Sequence, residues 1–145
     1  MENNPQVLLC IPDPTIRKNI AGQIIPPGIS AKILETQDLA TTLSLIREDT
    51  NHRIKIVIIG LFEEIEGTLV EIMMIRQNLN AGIKTILVYD PIQLNEEGKT
   101  HKDLLDQIPS ESATSVDLIF PYPINILEMR GKIAGLLTEA TTAQP

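Results

Sequence analysis

Two aspartates stand directly after apolar segments, at positions where their carboxylates could do chemistry. Asp13 follows the segment Val7–Ile11, and Asp90 follows Thr85–Tyr89. If both segments are strands of one parallel sheet, the two carboxylates lie at the edge where doubly wound proteins bind ligands, and as a pair they could hold a metal ion. Each aspartate also precedes a proline, and Asp-Pro is an ordinary helix-start or turn dipeptide. The structural interpretation is favoured for both.

A second acidic cluster, formed by Glu63, Glu64 and Glu66, follows Gly60 closely. It could serve as a metal site or as a phosphate acceptor. It could also be a solvated acidic loop before a helix, where the positive end of the helix dipole favours carboxylates. The loop interpretation is preferred, and weak cation binding is left open.

The remaining reactive residues do not form a catalytic or metal site. Cys10 lies inside an apolar segment, which predicts a buried and unreactive thiol. His52 and His101 have no cysteine or histidine partner at zinc-ligand spacing. The sequence contains no GxSxG motif, phosphate-binding glycine loop or CxxC pair. These observations predict a protein that is not an enzyme and that has no metal or cofactor.

The composition excludes several classes of partner. The chain of 145 residues has a formal net charge of −7, which disfavours nucleic acid and anionic membrane surfaces, because both are bound through lysine and arginine. It has no basic, apolar leader and no run of 18 apolar residues that could span a membrane. We therefore expect a cytoplasmic protein. Since 43% of the residues are hydrophobic but only 3% are aromatic, its core must be aliphatic.

Four apolar segments predict buried strands. Three of them are almost continuously apolar, which is typical of a parallel sheet covered by helices on both faces. A weaker fifth segment, Ala31–Thr36, alternates between apolar and polar residues and fits an edge strand. The four stronger segments are Val7–Ile11, Ile54–Ile59, Thr85–Tyr89 and Val116–Phe120.

Helical patterns alternate with these strands, at Pro14–Ile25, Asp38–Asp49, Thr68–Leu79 and Ile124–Leu137. The alternation predicts an α/β fold with a doubly wound, five-stranded parallel sheet. Residues 91–115 form a long insert between the fourth and fifth strands. The domain is predicted to span residues 1–137, and the small polar residues 138–145 are predicted to form a tail or linker.

Three motifs lie where these strands meet the helices that follow them. VLLCIPDPTIR at 7–17 joins the first strand to a helix, IVIIGLFEEIEG at 56–67 follows the third strand, and FPYPINILEMRGKIAGLL at 120–137 joins the fifth strand to the last helix. In each motif the pattern resembles the receiver domains of response regulators, and the resemblance covers roughly residues 7–137. It implies a flavodoxin-like, receiver-like fold and a role in two-component signal transduction.

The residues that receivers use for phosphorylation are absent from the matching positions. The metal-binding acidic pair corresponds to Ile11 and Pro12, with only the neighbouring Asp13 acidic, and the phosphoacceptor aspartate corresponds to Gly60. Glycine has no carboxylate to phosphorylate, and isoleucine and proline have no side-chain oxygen for magnesium. The resemblance therefore implies a degenerate receiver, or pseudo-receiver.

Both tyrosines also fall at receiver positions. Tyr89 stands where a receiver has a serine or threonine that bonds the phosphoryl group, and Tyr122, before Pro123, stands where a receiver has a lysine. Their rings could plug the vacated pocket, or they could be strand-end residues whose hydroxyls reach water. Both interpretations stay open. Because receivers commonly hold the matching lysine–proline bond in cis, we expect a cis Tyr122–Pro123 bond.

The resemblance to receivers and the absence of their phosphorylation residues together favour one function and leave one alternative. The first is a non-catalytic signalling or scaffold module that acts through protein–protein contacts without aspartyl phosphorylation. Its partner could be a kinase, an effector domain or a second copy of the chain in a homodimer. The alternative is a flavin- or nucleotide-binding protein or enzyme that uses the strand-end crevice. The partner-binding surface is predicted to join the insert to the last helix and to comprise Leu104, Leu105, Ile108, Ile124, Met129 and Ile133.

Overall fold

A computed structural model of the chain describes residues 4–60, 70–72, 74–75, 82–90 and 116–142. Residues 139–142 are described by their backbone alone. Five strands and three helices have defined bounds. The strands are β1 (Gln6–Cys10), β2 (Lys32–Thr36), β3 (Ile54–Gly60), β4 (Lys84–Tyr89) and β5 (Leu118–Pro121). The helices are α1 (Pro14–Ala21), α2 (Leu39–Glu48) and α3 (Ile126–Thr142).

All five strands lie in one parallel sheet in the order β2-β1-β3-β4-β5. The predicted doubly wound, receiver-like sheet is therefore confirmed, with the alternating segment as an edge strand. The chain order reverses between β1 and β3, and such a switch point is where open α/β sheets bind ligands. The predicted insert at 91–115 lies outside the described residues, as does the acidic cluster of Glu63, Glu64 and Glu66.

Apolar clusters cover both faces of the sheet, which explains why its strands are continuously apolar. On one face, Val7, Leu9 and Ile11 belong to a cluster that also includes residues of α1 and α3. On the other face, Leu8 and Cys10 belong to a cluster that includes a residue of α2. All five side chains are fully buried. Because successive side chains of a strand point to opposite faces of the sheet, β1 contributes residues to both apolar clusters.

Aspartate side chains begin the first two helices. Asp13 Oδ1 accepts hydrogen bonds from the backbone N–H groups of Thr15 at 2.8 Å and Ile16 at 3.1 Å. Asp38 Oδ1 accepts one from the backbone N–H of Thr41 at 2.7 Å. These bonds satisfy N–H groups that have no partner within the helix. The interpretation of Asp13 as a helix cap is therefore confirmed.

Two helix boundaries differ from the prediction. α1 ends at Ala21, before the predicted Ile25, because Gly22 follows its last turn and ends the helix. α3 continues past Leu137 to Thr142, since no proline or glycine interrupts residues 138–142. The predicted polar tail is thus helical over its first part, and the domain boundary at 137 stays a prediction. Within the described residues, no helix combines the length and the hydropathy needed to cross a membrane.

Candidate functional site

The carboxyl ends of the strands form one edge of the sheet, and the matched receiver positions lie there. Gly60 is the last residue of β3 and pairs with Val88 of β4, next to the strand-ending Tyr89. Ile11 directly follows β1. The backbone N–H of Tyr122 donates to the carbonyl of Tyr89 at 2.7 Å. The structure therefore brings together positions that are far apart in the sequence.

Gly60 lies unusually close to the neighbouring strand. A Cβ atom at this position would lie 2.5 Å from Cβ of Val88 and 2.6 Å from its carbonyl oxygen. Carbon atoms in ordinary contact are about 3.5–4.0 Å apart, so any side chain here would have to force β3 and β4 apart. Gly60, Ile11 and Val88 are all buried, so a carboxylate would also lose its hydration. The phosphoacceptor position is closed by packing as well as lacking its carboxylate.

The positions of the acidic metal-binding pair offer no oxygen ligand from their side chains. Ile11 is fully buried in the apolar cluster, and Pro12 is half-buried. Asp13 is exposed, and its Oδ1 is already bonded to the first turn of α1. The carboxylate of Asp13 thus has a structural role.

A guanidinium occupies the edge beside β1. Nη1 of Arg17 donates to the carbonyl oxygen of Ile11 at 2.7 Å, and Nε donates to Oε1 of Glu35 on β2 at 3.2 Å. The ammonium of Lys18 lies 3.5 Å from Oε2 of the same carboxylate. The Arg17 side chain is only 13% exposed, whereas that of Lys18 is 73% exposed. Arg17 therefore ties the end of β1 to α1 and β2 through a partly buried ion pair with Glu35.

Neither Arg17 nor Glu35 was predicted as a site residue from the sequence. The two residues are 18 positions apart, and their contact depends on how α1 crosses back over β2. The available signal was weak: Glu35 is one of the polar residues of an alternating edge strand, and Arg17 follows a helix cap by one turn.

Cys10 is free and buried, as predicted. Its Sγ donates to the carbonyl of Asp38 at 3.4 Å, and that carbonyl also accepts a bond from Oγ1 of Thr42 at 2.9 Å. Thr42 in turn shares a 2.6 Å hydrogen bond with Thr36. Burial raises the pKa of the Cys10 thiol above its ordinary value, against a smaller lowering by the two threonines. The thiol is thus held protonated, which makes it a poor nucleophile.

The Tyr122–Pro123 peptide bond is cis, as predicted. Tyr122 is half-buried and packs against the cluster that contains Ile11. Tyr89 is also half-buried, but alternation along β4 directs it to the face of Leu87. The ring of Tyr122 therefore lies on the face that carries Ile11, and the plug by the two rings stays a proposal.

The less favoured interpretation, in which Asp13 and Asp90 hold a metal ion as a pair, has no support from additional ligands among the described residues. Asp90 follows β4 at the same edge and is half-buried. Over the ranges that the structure describes, no three aspartate, glutamate, histidine or cysteine side chains cluster in a way that could hold a metal ion.

Two residues of the predicted partner surface were assigned wrongly. Met129 and Ile133 are fully buried in the core cluster, because they form the stripe of α3 that faces the sheet. Ile124 is half-buried and packs against the same cluster. Leu127, in the first turn of the same helix, is 74% exposed. The other predicted contact residues, Leu104, Leu105 and Ile108, lie outside the described residues.

Comparison with known proteins places this geometry in a structural class. No protein-family profile matches the chain, and no curated protein matches it. Solved structures do match. A response regulator from Thermotoga maritima is 14% identical, with a TM-score of 0.68, over 93% of this chain and 98% of the other. A response regulator receiver protein from Pseudomonas putida is 18% identical, with a TM-score of 0.60, over 94% of this chain and 97% of the other.

A third solved structure that matches the chain is that of a phosphorylated response regulator. The phosphorylated cyanobacterial phytochrome response regulator RcpA is 9% identical to the chain, with a TM-score of 0.63, and the match covers 98% of this chain and 97% of the other. At such identities the likeness shows the fold alone. The chain has the flavodoxin-like fold of receiver domains, and its function must be argued from its own residues.

Proposed function

We propose that this chain is a non-enzymatic signal-transduction or scaffold module, a pseudo-receiver that acts through protein–protein contacts without aspartyl phosphorylation. The observation that carries the proposal is Gly60. Gly60 has no carboxylate. A Cβ atom added there would lie 2.5 Å from Cβ of Val88, so the position has no room for a carboxylate side chain. An acyl phosphate needs a carboxylate to form on, so the chemistry of a receiver has no starting point here.

In the part of the chain that the structure describes, the carboxyl ends of the strands also lack the ligands for the magnesium ion that a receiver binds. Magnesium requires a near-octahedral set of oxygen ligands, and Ile11 and Pro12 contribute no side-chain oxygen. The guanidinium of Arg17 already holds the carbonyl oxygen of Ile11 at 2.7 Å. That carbonyl oxygen is therefore already engaged by the guanidinium, whose charge is paired with the Glu35 carboxylate at 3.2 Å.

The flavin or nucleotide alternative receives less support from the described residues. Isoleucine, valine and phenylalanine side chains fill the face that ends at Gly60. A hollow of about 320 Å³ lies at the opposite edge of the sheet, near the start of β1 and β3. It is lined by Gln6, Leu34, Leu45, Glu48, Asp49, Thr50, Asn51, Arg53 and Ile54. Its position does not match the strand-end crevice that the alternative requires.

The partner is proposed to be a protein, whether a kinase, an effector domain or a second copy of the chain. The net charge of −7 argues against nucleic acid and anionic membranes. A cytoplasmic location is part of the proposal.

Amide NMR spectra of the ¹⁵N-labelled protein would test both candidates. Magnesium, flavin mononucleotide and ATP are titrated separately, and the amides of Ile11, Gly60, Tyr89 and Tyr122 are followed. We expect no saturable shift at these positions. The amide of Gly22, at the end of α1, reports nonspecific effects. A saturable magnesium shift confined to the strand ends would contradict the proposal, and a saturable flavin or ATP shift there would favour the alternative.

A further inference from the structure

The outer face of α3 is apolar and small in its centre. Leu127 is 74% exposed, more than any other large hydrophobic side chain among the residues that the structure describes. Gly131 and Gly135 follow it along the same face and are exposed. An added Cβ at either glycine would meet no atom of the described chain within 4 Å. The outer face of α3 therefore presents an exposed leucine side chain next to a shallow groove, which the two glycines form.

The two flanks of the groove differ in character. With about 3.6 residues per turn, Leu127 and Ala134 fall on one side of the line that joins Gly131 and Gly135. Glu128 and Lys132 fall on the other side. Glu128 and Lys132 are both exposed, and they carry opposite charges. One flank is thus apolar and the other holds a matched pair of charges.

This arrangement is complementary to itself. In an antiparallel pair of helices related by a two-fold axis, each flank of one copy meets the same flank of the other. With the axis near Gly131, Leu127 of one copy meets Ala134 of the other, and Glu128 meets Lys132. In one antiparallel register, residues that lie opposite each other have a constant sum of residue numbers. That sum is 261 for Leu127 with Ala134, 260 for Glu128 with Lys132, and 262 for Gly131 opposite itself. The three pairs therefore agree in register to within about 3 Å of helical rise.

We infer that the chain forms a homodimer through an antiparallel α3–α3 contact centred on Gly131. The missing Cβ atoms let the helix axes approach closely, and each exposed leucine is covered by the partner. A parallel pair would set the charged flank of one copy against the apolar flank of the other, so the antiparallel orientation is favoured. The inference rests on the proposed function in that it names a second copy of the chain as a partner.

The contact is small, so its expected strength is modest. A single pair of helices falls below the roughly 1,200 Å² of stable complexes, which predicts a reversible dimer whose population rises with concentration. Two copies with a net charge of −7 each also repel one another. At physiological ionic strength this repulsion is screened beyond about 8 Å, so the test belongs at that ionic strength.

Sedimentation equilibrium of the full chain, at concentrations up to about 1 mM, measures the dimer directly. We expect a monomer–dimer equilibrium. The charge reversals E128K and K132E should each raise the dissociation constant at least about fivefold, because each sets like charges opposite one another. The double variant E128K/K132E should return to within about threefold of the wild type. L127K should raise the dissociation constant by more than about tenfold.

A matched control changes the net charge elsewhere. Glu48 is exposed at the end of α2, and E48K alters the net charge as E128K does without touching α3. It should leave the dissociation constant within about twofold of the wild type. Circular dichroism of every variant checks that the fold is kept, and L127K and E128K act at exposed positions where folding is least affected.

Failure of the inference is distinguishable from failure of the proposed function. A monomer at every concentration overturns the dimer, yet leaves open contact with another protein. Dimers that persist unchanged in L127K and E128K, or an E128K/K132E variant no better than either single reversal, overturn the α3 interface. Neither result bears on the magnesium and nucleotide titrations, which test the strand ends of the sheet.

Discussion

Replacing Gly60 by alanine would place one methyl group where β3 and β4 are in close contact. The new Cβ would lie 2.5 Å from Cβ of Val88 and 2.6 Å from its carbonyl oxygen. Carbon pairs in contact prefer about 3.5–4.0 Å, so the two strands must separate by close to an ångström at this end. The carbonyl belongs to the backbone and cannot rotate away as a side chain would.

The size of the effect follows from overpacking in other cores. Extra methyl groups in a well-packed interior destabilise proteins by about 1–3 kcal/mol. Gly60 and Val88 are buried in the middle of the sheet, with β1 beyond β3 and β5 beyond β4. Little relaxation is available there, so we expect Gly60→Ala to lower the free energy of unfolding by about 1–3 kcal/mol.

Gly22→Ala is a matched control for the same substitution. Gly22 has a φ of −75°, and an added Cβ would lie 3.6 Å from the nearest atom, the carbonyl oxygen of Lys18. Glycine-to-alanine changes at compatible positions stabilise by about 0.4–1 kcal/mol, because alanine has less backbone entropy to lose. The two variants should therefore differ by about 1.5–4 kcal/mol in urea unfolding.

A Gly60→Ala variant as stable as the wild type, or one that gained stability as Gly22→Ala does, would refute the predicted clash with Val88. Gly60→Asp extends the test. It restores the acceptor residue in name, but it adds a carboxylate among Ile11 and Val88 side chains as well as the clash. It should be less stable than Gly60→Ala, and it should not accept phosphate.

Three further predictions concern the residues around this edge. Arg17→Met should lower the free energy of unfolding by about 1–3 kcal/mol, since it removes charged hydrogen bonds from a side chain that is 13% exposed; Lys18→Met, at a 73% exposed position, should change it by less than about 1 kcal/mol, and equal effects in urea unfolding would contradict this. Hydrogen bonds from Thr41 lower the pKa of Asp38, so its stabilisation is present above the ordinary value of 3.8 and is lost as the pH falls through the lower folded value. Asp38→Asn keeps a cap that does not titrate, so its thermal stability should fall less on acidification than that of the wild type; an unchanged acid limb would argue against the cap. Burial raises the pKa of Cys10, so a disulfide reagent should label the native thiol far more slowly than the thiol in urea, and equal rates would contradict its burial.

The sheet could be predicted from the sequence because strands covered on both faces leave a distinct pattern. Continuous apolar segments marked β1, β3 and β4, and the alternating segment became the edge strand β2. The cap at Asp13 was equally visible, since an aspartate before a proline has few other uses at the start of a helix. These features depend on residues that are near one another in the chain.

The closure of the site could not be predicted, because it depends on contacts between distant segments. The loss of the acceptor carboxylate at Gly60 could be stated from the resemblance, but the clash with Val88 requires the register of β3 against β4. The contact of Arg17 with Glu35 requires the placement of α1 over β2. On α3, a helical stripe shows which residues share a face, but not which edge of that stripe is covered. Met129 and Ile133 were for that reason assigned to the partner surface, although both are buried.

The most direct test of the central claim is the intact mass of the protein after incubation with a small phosphodonor and magnesium. A receiver protein of proven activity serves as the positive control in the same reaction. The account predicts no mass gain on this chain, because Gly60 has no carboxylate and its surroundings exclude one. A stoichiometric gain of one phosphoryl group that disappears when a single aspartate, such as Asp13 or Asp90, is changed to asparagine would contradict it.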